Sequence, residues 1–156
     1  MTVRGLMLGG LALVILVAGC ATMEPKPTLY ERIWLADQTG VPQYGRAAIA
    51  LIVDDFVANV VADDRIKGRF AGLKPPDAQR LKTNLSDQIC EAAGGPCSYL
   101  GRDMKTTHKG LKINDTEWTA TVEALKKALD KHKVPAKEQG ELLALLGPMR
   151  GDIVGQ

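Results

Sequence analysis

Apolar residues recur at three- and four-residue intervals along most of the chain beyond residue 46, the spacing that gathers them on one face of a helix. Ile49, Ile52, Val53, Phe56 and Val60 form the first such stripe and predict a helix over residues 47–62, with Asp54, Asp55 and Asn59 off the stripe. Pro75, Pro76 and Asp77 start a second long helix whose face carries Leu81, Leu85 and Ile89 with Gln88 beside them, and Gly94-Gly95-Pro96 stops it. Tyr99 and Leu100 lead through Gly101 into a shorter helix that contains Met104 and His108 and ends at Gly110. Asn114 with Glu117 three residues on is the best start signal in the chain, with Ile113 and Trp118 in staple positions around it. From there Trp118, Val122, Leu125 and Leu129 face inward. Pro135 fits the first turn of a last helix, whose apolar face runs through Leu142, Leu145, Leu146, Met149 and Ile153.

The remaining segments are less regular. Residues 29–33 make one helical turn that can pack Tyr30 and Ile33 inward, and residues 36–45 are a turn-rich insert with Gly40, Pro42 and Gly45. Residues 65–76 form an irregular connection anchored by Ile66 and Phe70. The pattern therefore predicts an all-α domain of about five substantial helices and no strand.

The beginning of the chain is patterned for targeting. Arg4 precedes an apolar run from Leu6 to Ala18, broken by Gly9 and Gly10, and Leu16-Val-Ala-Gly-Cys20 closes it. That ending resembles the lipobox of bacterial lipoproteins, in which the cysteine becomes the lipidated first residue of the mature chain. The run is too short and too sharply ended by a cysteine for a comfortable membrane span, and the alternative to a lipoprotein signal is an uncleaved N-terminal anchor. The resulting division is a signal peptide over 1–19, lipidated Cys20 with an extended tether to residue 28 carrying Pro25 and Pro27, and a folded domain over 29–156. Ala21, where inner-membrane lipoproteins carry aspartate, leans toward the outer membrane, facing the periplasm. Several acyl chains would hold such a domain at the membrane, since one alone is marginal.

Composition narrows the partners. With 156 residues and 46% hydrophobic content the chain can bury one core, and with 4% aromatic content that core must be mostly aliphatic. Twenty basic against eighteen acidic residues give +2, with no basic stripe, so there is no electrostatic case for nucleic acid. With Cys20 set aside, Cys90 and Cys97 remain as an even pair in an oxidising compartment. A disulfide there clamps the end of one helix to the next loop, worth about 2 to 3 kcal/mol on the loop-entropy account. Two free thiols are the alternative, and a metal site lacks further ligands.

His108 is one of two histidines and the residue that calls for explanation. A neutral imidazole is the commonest protein ligand for a metal, and haem iron in globins hangs from a single histidine. Met104 shares a helix face with it and can pack beside a flat cofactor. By chemistry alone, a lone histidine near an apolar surface is more often a satisfied or exposed side chain. His132, in the charged end Asp130-Lys-His-Lys133, is expected to be exposed and without a role.

Leu29-Tyr-Glu-Arg-Ile33, Asp54-Asp-Phe56 followed by Ala62-Asp-Asp64, Gly94-Gly95-Pro96, Tyr99 with Gly101, Met104-Lys-x-x-His108-x-Gly110 and Ile113 through Trp118 occur in the order and approximate spacing of the group I truncated haemoglobins. The chain resembles that family over most of residues 29–154. The resemblance implies a two-over-two helical sandwich holding one haem b, with His108 as the iron ligand. Phe56, Phe70, Leu81, Leu85, Met104, Leu111, Ile113, Trp118 and Leu146 are then the expected apolar faces of the haem pocket. Lys105, Lys109 and Lys112 are the cations that could reach a propionate, though a lysine in such a place is more often just a solvated charge.

On the ligand-binding side the chain departs from the family. Group I members usually place a tyrosine directly after the phenylalanine of the second helix and a glutamine four residues past the position of Leu81, both hydrogen-bonding bound oxygen. Here those positions carry Val57 and Leu85. Each lost donor removes about 1 to 3 kcal/mol from a polarised ligand. Oxygen suffers most, carbon monoxide and nitric oxide less. Gln88 and Asn84 are the polar candidates for the distal pocket that could lean over the iron instead, the other reading, favoured for Asn84, being that they face solvent. With no second histidine placed to bind the metal, the expectation is a five-coordinate or water-bound iron with a mostly apolar distal face that binds diatomic gases, in a domain that the lipobox-like ending places at the envelope. The alternative is a haem enzyme, performing nitric oxide dioxygenation or peroxidase-like chemistry with an external electron donor. A third reading is a structural lipoprotein that has lost its haem.

Overall fold

The computed structural model describes residues 26–36 and 40–156, so the expected signal peptide, Cys20 and most of the expected tether lie outside the described residues. Six helices are α1 (Leu29–Arg32), α2 (Gly45–Ala62), α3 (Pro75–Ala92), α4 (Met104–His108), α5 (Asp115–Lys131) and α6 (Ala136–Leu146), with 3-10 turns at Lys67–Phe70 and Gly147–Asp152. The domain is built on helices, as their periodicity predicts. One expectation fails: the 36–45 insert is not merely turns. Strand β1 (Trp34–Ala36) pairs antiparallel with β2 (Pro42–Tyr44), with Trp34 opposite Tyr44 and Leu35 opposite Gln43. No strand of three residues leaves a periodicity long enough to read.

Helix ends follow local chemistry. Asn114 accepts from the Glu117 amide and Glu117 reaches back to the Asn114 amide, the reciprocal cap expected there. Thr28 and Glu31 repeat the device at α1, and Asp103 caps α4 by accepting from Thr106. Pro75 occupies the first turn of α3, where its missing N–H costs nothing.

Helix α2 is the centre of the packing, with α5 on one side and α3 on another. Ala48, Ile49, Ile52, Val53, Phe56, Val57 and Val60 of α2 are all buried. The surface that α5 turns to the core includes Ala120, Ala124 and Ala128, spaced by four so that small side chains let another helix come close, together with Leu125 and Leu129. On α3 the buried set is Ser86, Ile89, Cys90 and, just past its end, Ala93. Leu81 and Leu85 only pack against the core's margin. In α6, Leu142 is buried and Leu143 packs against the core, whereas Leu145, expected inward, is exposed. His132 is likewise corrected. It is half-buried, with Nε2 2.7 Å from Asp55 Oδ2, while Lys131 Nζ lies 2.6 Å from the other oxygen. Burial opposes charge on Asp55, but the bonds to Lys131 and His132 outweigh it and hold the carboxyl below its usual pKa.

Tyr30 locks α1 to this frame. Its hydroxyl accepts from the Arg46 amide at 3.2 Å and its own amide donates to Ala93 O at 2.9 Å. Gly45 has φ +54, and a Cβ there would stand 2.5 Å from the Tyr30 hydroxyl. Arg32 adds ion pairs to Glu138 and Glu141 of α6. Gly45→Ala is therefore expected to cost about 1 to 3 kcal/mol through left-handed strain alone, more with the clash, seen as a lower urea midpoint at unchanged slope. An unchanged midpoint would mean that Tyr30 is not held there.

Candidate functional site

The site is assembled from α4 and the loop after it. His108 Nδ1 lies 2.7 Å from the carbonyl of Met104, one turn back. A carbonyl only accepts, so Nδ1 is the donor in this contact, and the tautomer it selects for a neutral ring has its lone pair on Nε2. Nε2 has no hydrogen-bond partner among the described residues, and the ring is half-buried. A neutral imidazole held by its other nitrogen and presenting a free lone pair is the donor that a metal takes.

The loop beyond His108 is held from three directions. Arg69, from the 3-10 turn before α3, donates through Nη1 to Leu111 O at 2.8 Å and grips Glu117 with Nε at 2.6 Å and Nη2 at 3.1 Å. Glu117 at the same time caps α5. The C-terminus closes the third side, with Lys112 N donating to Gln156 O at 2.7 Å and Gly155 N to Ile113 O at 2.8 Å. Gly110 and Lys112 both have positive φ, so the backbone reverses sharply here. The Arg69 guanidinium first, and the Asn114 amide second, hold the Glu117 carboxyl below its usual value against the cost of burial.

The expected pocket residues fall into groups. Phe56 and Val57 are in the core, Val57 with 6% of its surface exposed. Phe70, Leu81, Leu85 and Leu146 are half-buried and pack against that core, while Met104, Ile113 and Trp118 are also half-buried. On α3 the half-buried Leu81, Leu85, Gln88 and Ala92 make a second stripe beside the buried one. On α5 the expected inward stripe divides: Trp118 and Val122 stay half-buried, while Leu125 and Leu129 are buried. Leu111 departs from expectation: it is 44% exposed, because Arg69 fastens its carbonyl and leaves its side chain outward. Lys105, Lys109 and Lys112 are exposed.

A cleft of about 350 Å³ runs between α3 and the start of α4, lined by Gln88, Glu91, Ala92, Tyr99, Asp103, Met104, Met149 and Asp152. It joins Gln88 and Met104 of the expected residues and lies at the far end of α4 from His108. Gln88 Nε2 approaches Met149 Sδ at 3.7 Å, and half-buried Asn84, expected in solvent, makes no side-chain hydrogen bond among the described residues. The side chains of Val57 and Leu85 can donate no hydrogen bond. Cys90 and Cys97 are joined, which ties the end of α3 to the loop leading to α4. Arg69 had no signal in the sequence. Glu117 had one, but only as a cap.

The family model for bacterial-like globins matches residues 43–154. A group 1 truncated hemoglobin of Synechocystis sp. is 32% identical over 77% of this chain and 90% of its own. One from Mycolicibacterium paratuberculosis is 30% identical over 70% of this chain and 78% of its own. Among solved structures, the truncated hemoglobin of Tetrahymena pyriformis in its Fe(III) form has a TM-score of 0.70 at 25% identity, covering 83% of this chain and all of that one. The 2/2 hemoglobin of Synechococcus sp., in the cyanomet state with covalently attached heme, has a TM-score of 0.68 at 25% identity with the same coverage.

Because the Glu117 pKa is depressed in the fold from about 4.5, the stability it adds is fully present above that value and is lost as pH falls through the folded pKa. Urea midpoints measured from pH 6 to pH 3 should fall less steeply for Glu117→Gln than for the parent. Parallel curves would remove Glu117 from the loop clamp.

Proposed function

This chain belongs to the bacterial-like globin family, and from that premise we propose that it binds one haem b through His108 and takes up oxygen, nitric oxide or carbon monoxide at the iron. The observation that carries the reading is the His108 ring, its Nδ1 proton committed to Met104 O and its Nε2 lone pair free. Solved structures similar to this fold include truncated hemoglobins in Fe(III) and cyanomet states. The residues present fit the group: one neutral imidazole, half-buried apolar side chains on α3 and α5, and exposed lysines after α4 that can meet propionates.

Bound haem supplies an iron centre that takes diatomic ligands and exchanges electrons. The protein's own part is to orient the imidazole through Met104, to hold the following loop through Arg69 and Glu117, and to keep water from the ligand side with Phe56, Val57, Leu81 and Leu85. That ligand side offers no hydroxyl or amide at positions 57 and 85. Oxygen, the ligand most dependent on such donors, leaves quickly, and nitric oxide and carbon monoxide are favoured in proportion. The same lack weakens nitric oxide dioxygenation, which needs oxygen to persist. The domain works at the cell envelope, carried by acyl chains on Cys20 after removal of residues 1–19.

Purified protein titrated with haemin should develop a Soret band that His108→Gly loses and added imidazole restores, with helical circular dichroism unchanged. Protein that stays colourless under haemin sinks the reading. Val57→Tyr should slow oxygen dissociation by about 5- to 150-fold, one hydrogen bond of about 1 to 3 kcal/mol. An unchanged rate by stopped flow would show that position 57 does not reach the ligand.

A further inference from the structure

The chain is poor in aromatics, with two tryptophans, three tyrosines and two phenylalanines, yet it leaves two of them on one exposed surface. Trp34 is 58% exposed and Tyr44 63% exposed, and they are direct cross-strand partners in the β1–β2 ribbon. Partners in a ladder share a face, so the two rings form one patch, and Val41, just before β2, is also exposed. Leu35 on the opposite face of the ribbon is buried, which anchors the ribbon to the core and turns the aromatic face outward.

We infer that this face docks on the lipid surface to which the chain is tethered. The inference rests on the proposed lipid anchor at Cys20. Eight residues, 21–28, can span at most about 30 Å, and Pro25 and Pro27 are among them. The tether enters the fold at Thr28, directly before α1, and the ribbon begins two residues after α1 ends. Tyr30 and Arg32 fasten α1 to α2, α3 and α6, so the entry point and the aromatic face belong to one rigid frame. Tryptophan and tyrosine are the side chains that settle at the boundary between headgroups and acyl chains, because each joins an apolar ring to a polar tip. A soluble partner would have to compete with a bilayer that the tether keeps within reach at all times. Docking by the ribbon turns a loosely leashed domain into one with a defined orientation.

The test uses the full lipidated chain, without haemin, reconstituted in phosphatidylethanolamine–phosphatidylglycerol vesicles that carry brominated acyl chains. Bromine quenching of tryptophan emission should be at least about twofold greater in the parent than in Trp34→Phe, and Trp34 should be shielded from acrylamide. Trp34→Tyr and Tyr44→Ser, checked by circular dichroism for an intact fold, serve as second variants. Equal bromine quenching in parent and Trp34→Phe, with Trp34 open to acrylamide, overturns the docking while leaving the tether standing. Shielding that appears only at high protein density points to a second copy of the chain and overturns it too. A full chain that fails to float with vesicles removes the lipid anchor, and the docking with it.

Discussion

A single hydrogen bond, from His108 Nδ1 to the Met104 carbonyl, decides what the chain can offer a metal. Without it the proton could sit on either ring nitrogen and the ring could turn about its χ angles. With it the lone pair is on Nε2 and the ring is fixed to the turn that carries it. The bond needs only a helix long enough to place the carbonyl of residue i over the side chain of residue i+4. Helix α4, Met104–His108, is that long and no longer. The Asp103 cap starts it and Gly110, at positive φ, lets the chain turn away after it.

A helix this short has little stability of its own, and the surroundings supply what it lacks. The disulfide ties the loop before it to the end of α3. Arg69 reaches from the turn before α3 to the backbone just after it, and the C-terminal residues close the same loop. The histidine is therefore located by groups distant in sequence, each acting on the backbone to one side of it. Helix α2 makes this possible by packing against α3 and α5 at once. Between those contacts, apolar surface on α3 and on the first half of α5 remains only half-covered.

The apolar character of positions 57 and 85 matters because of where they lie. Val57 is buried, and no polar group within it can turn toward a ligand. Gln88 makes its contact with the Met149 sulfur. Positions 57 and 85 therefore offer apolar surface and no hydrogen-bond donor.

The residues by themselves determined what is local. Helix starts and stops were legible at Asn114, Pro75 and Gly94 because a cap or a breaker acts within four residues of itself. The role proposed for His108 could be drawn from the sequence only through likeness to a family, since the groups around it come from elsewhere in the chain. Tertiary structure decided which side of each helix is covered, because that depends on the neighbour a stripe meets. It buried Leu125 but left Trp118 half-covered on the same face, and chose Leu143 over Leu145. It also brought Arg69 to Glu117, and Asp55 to His132 across residues far apart in sequence. A pair of opposite charges carries no periodicity, so only the folded backbone could make those partners neighbours.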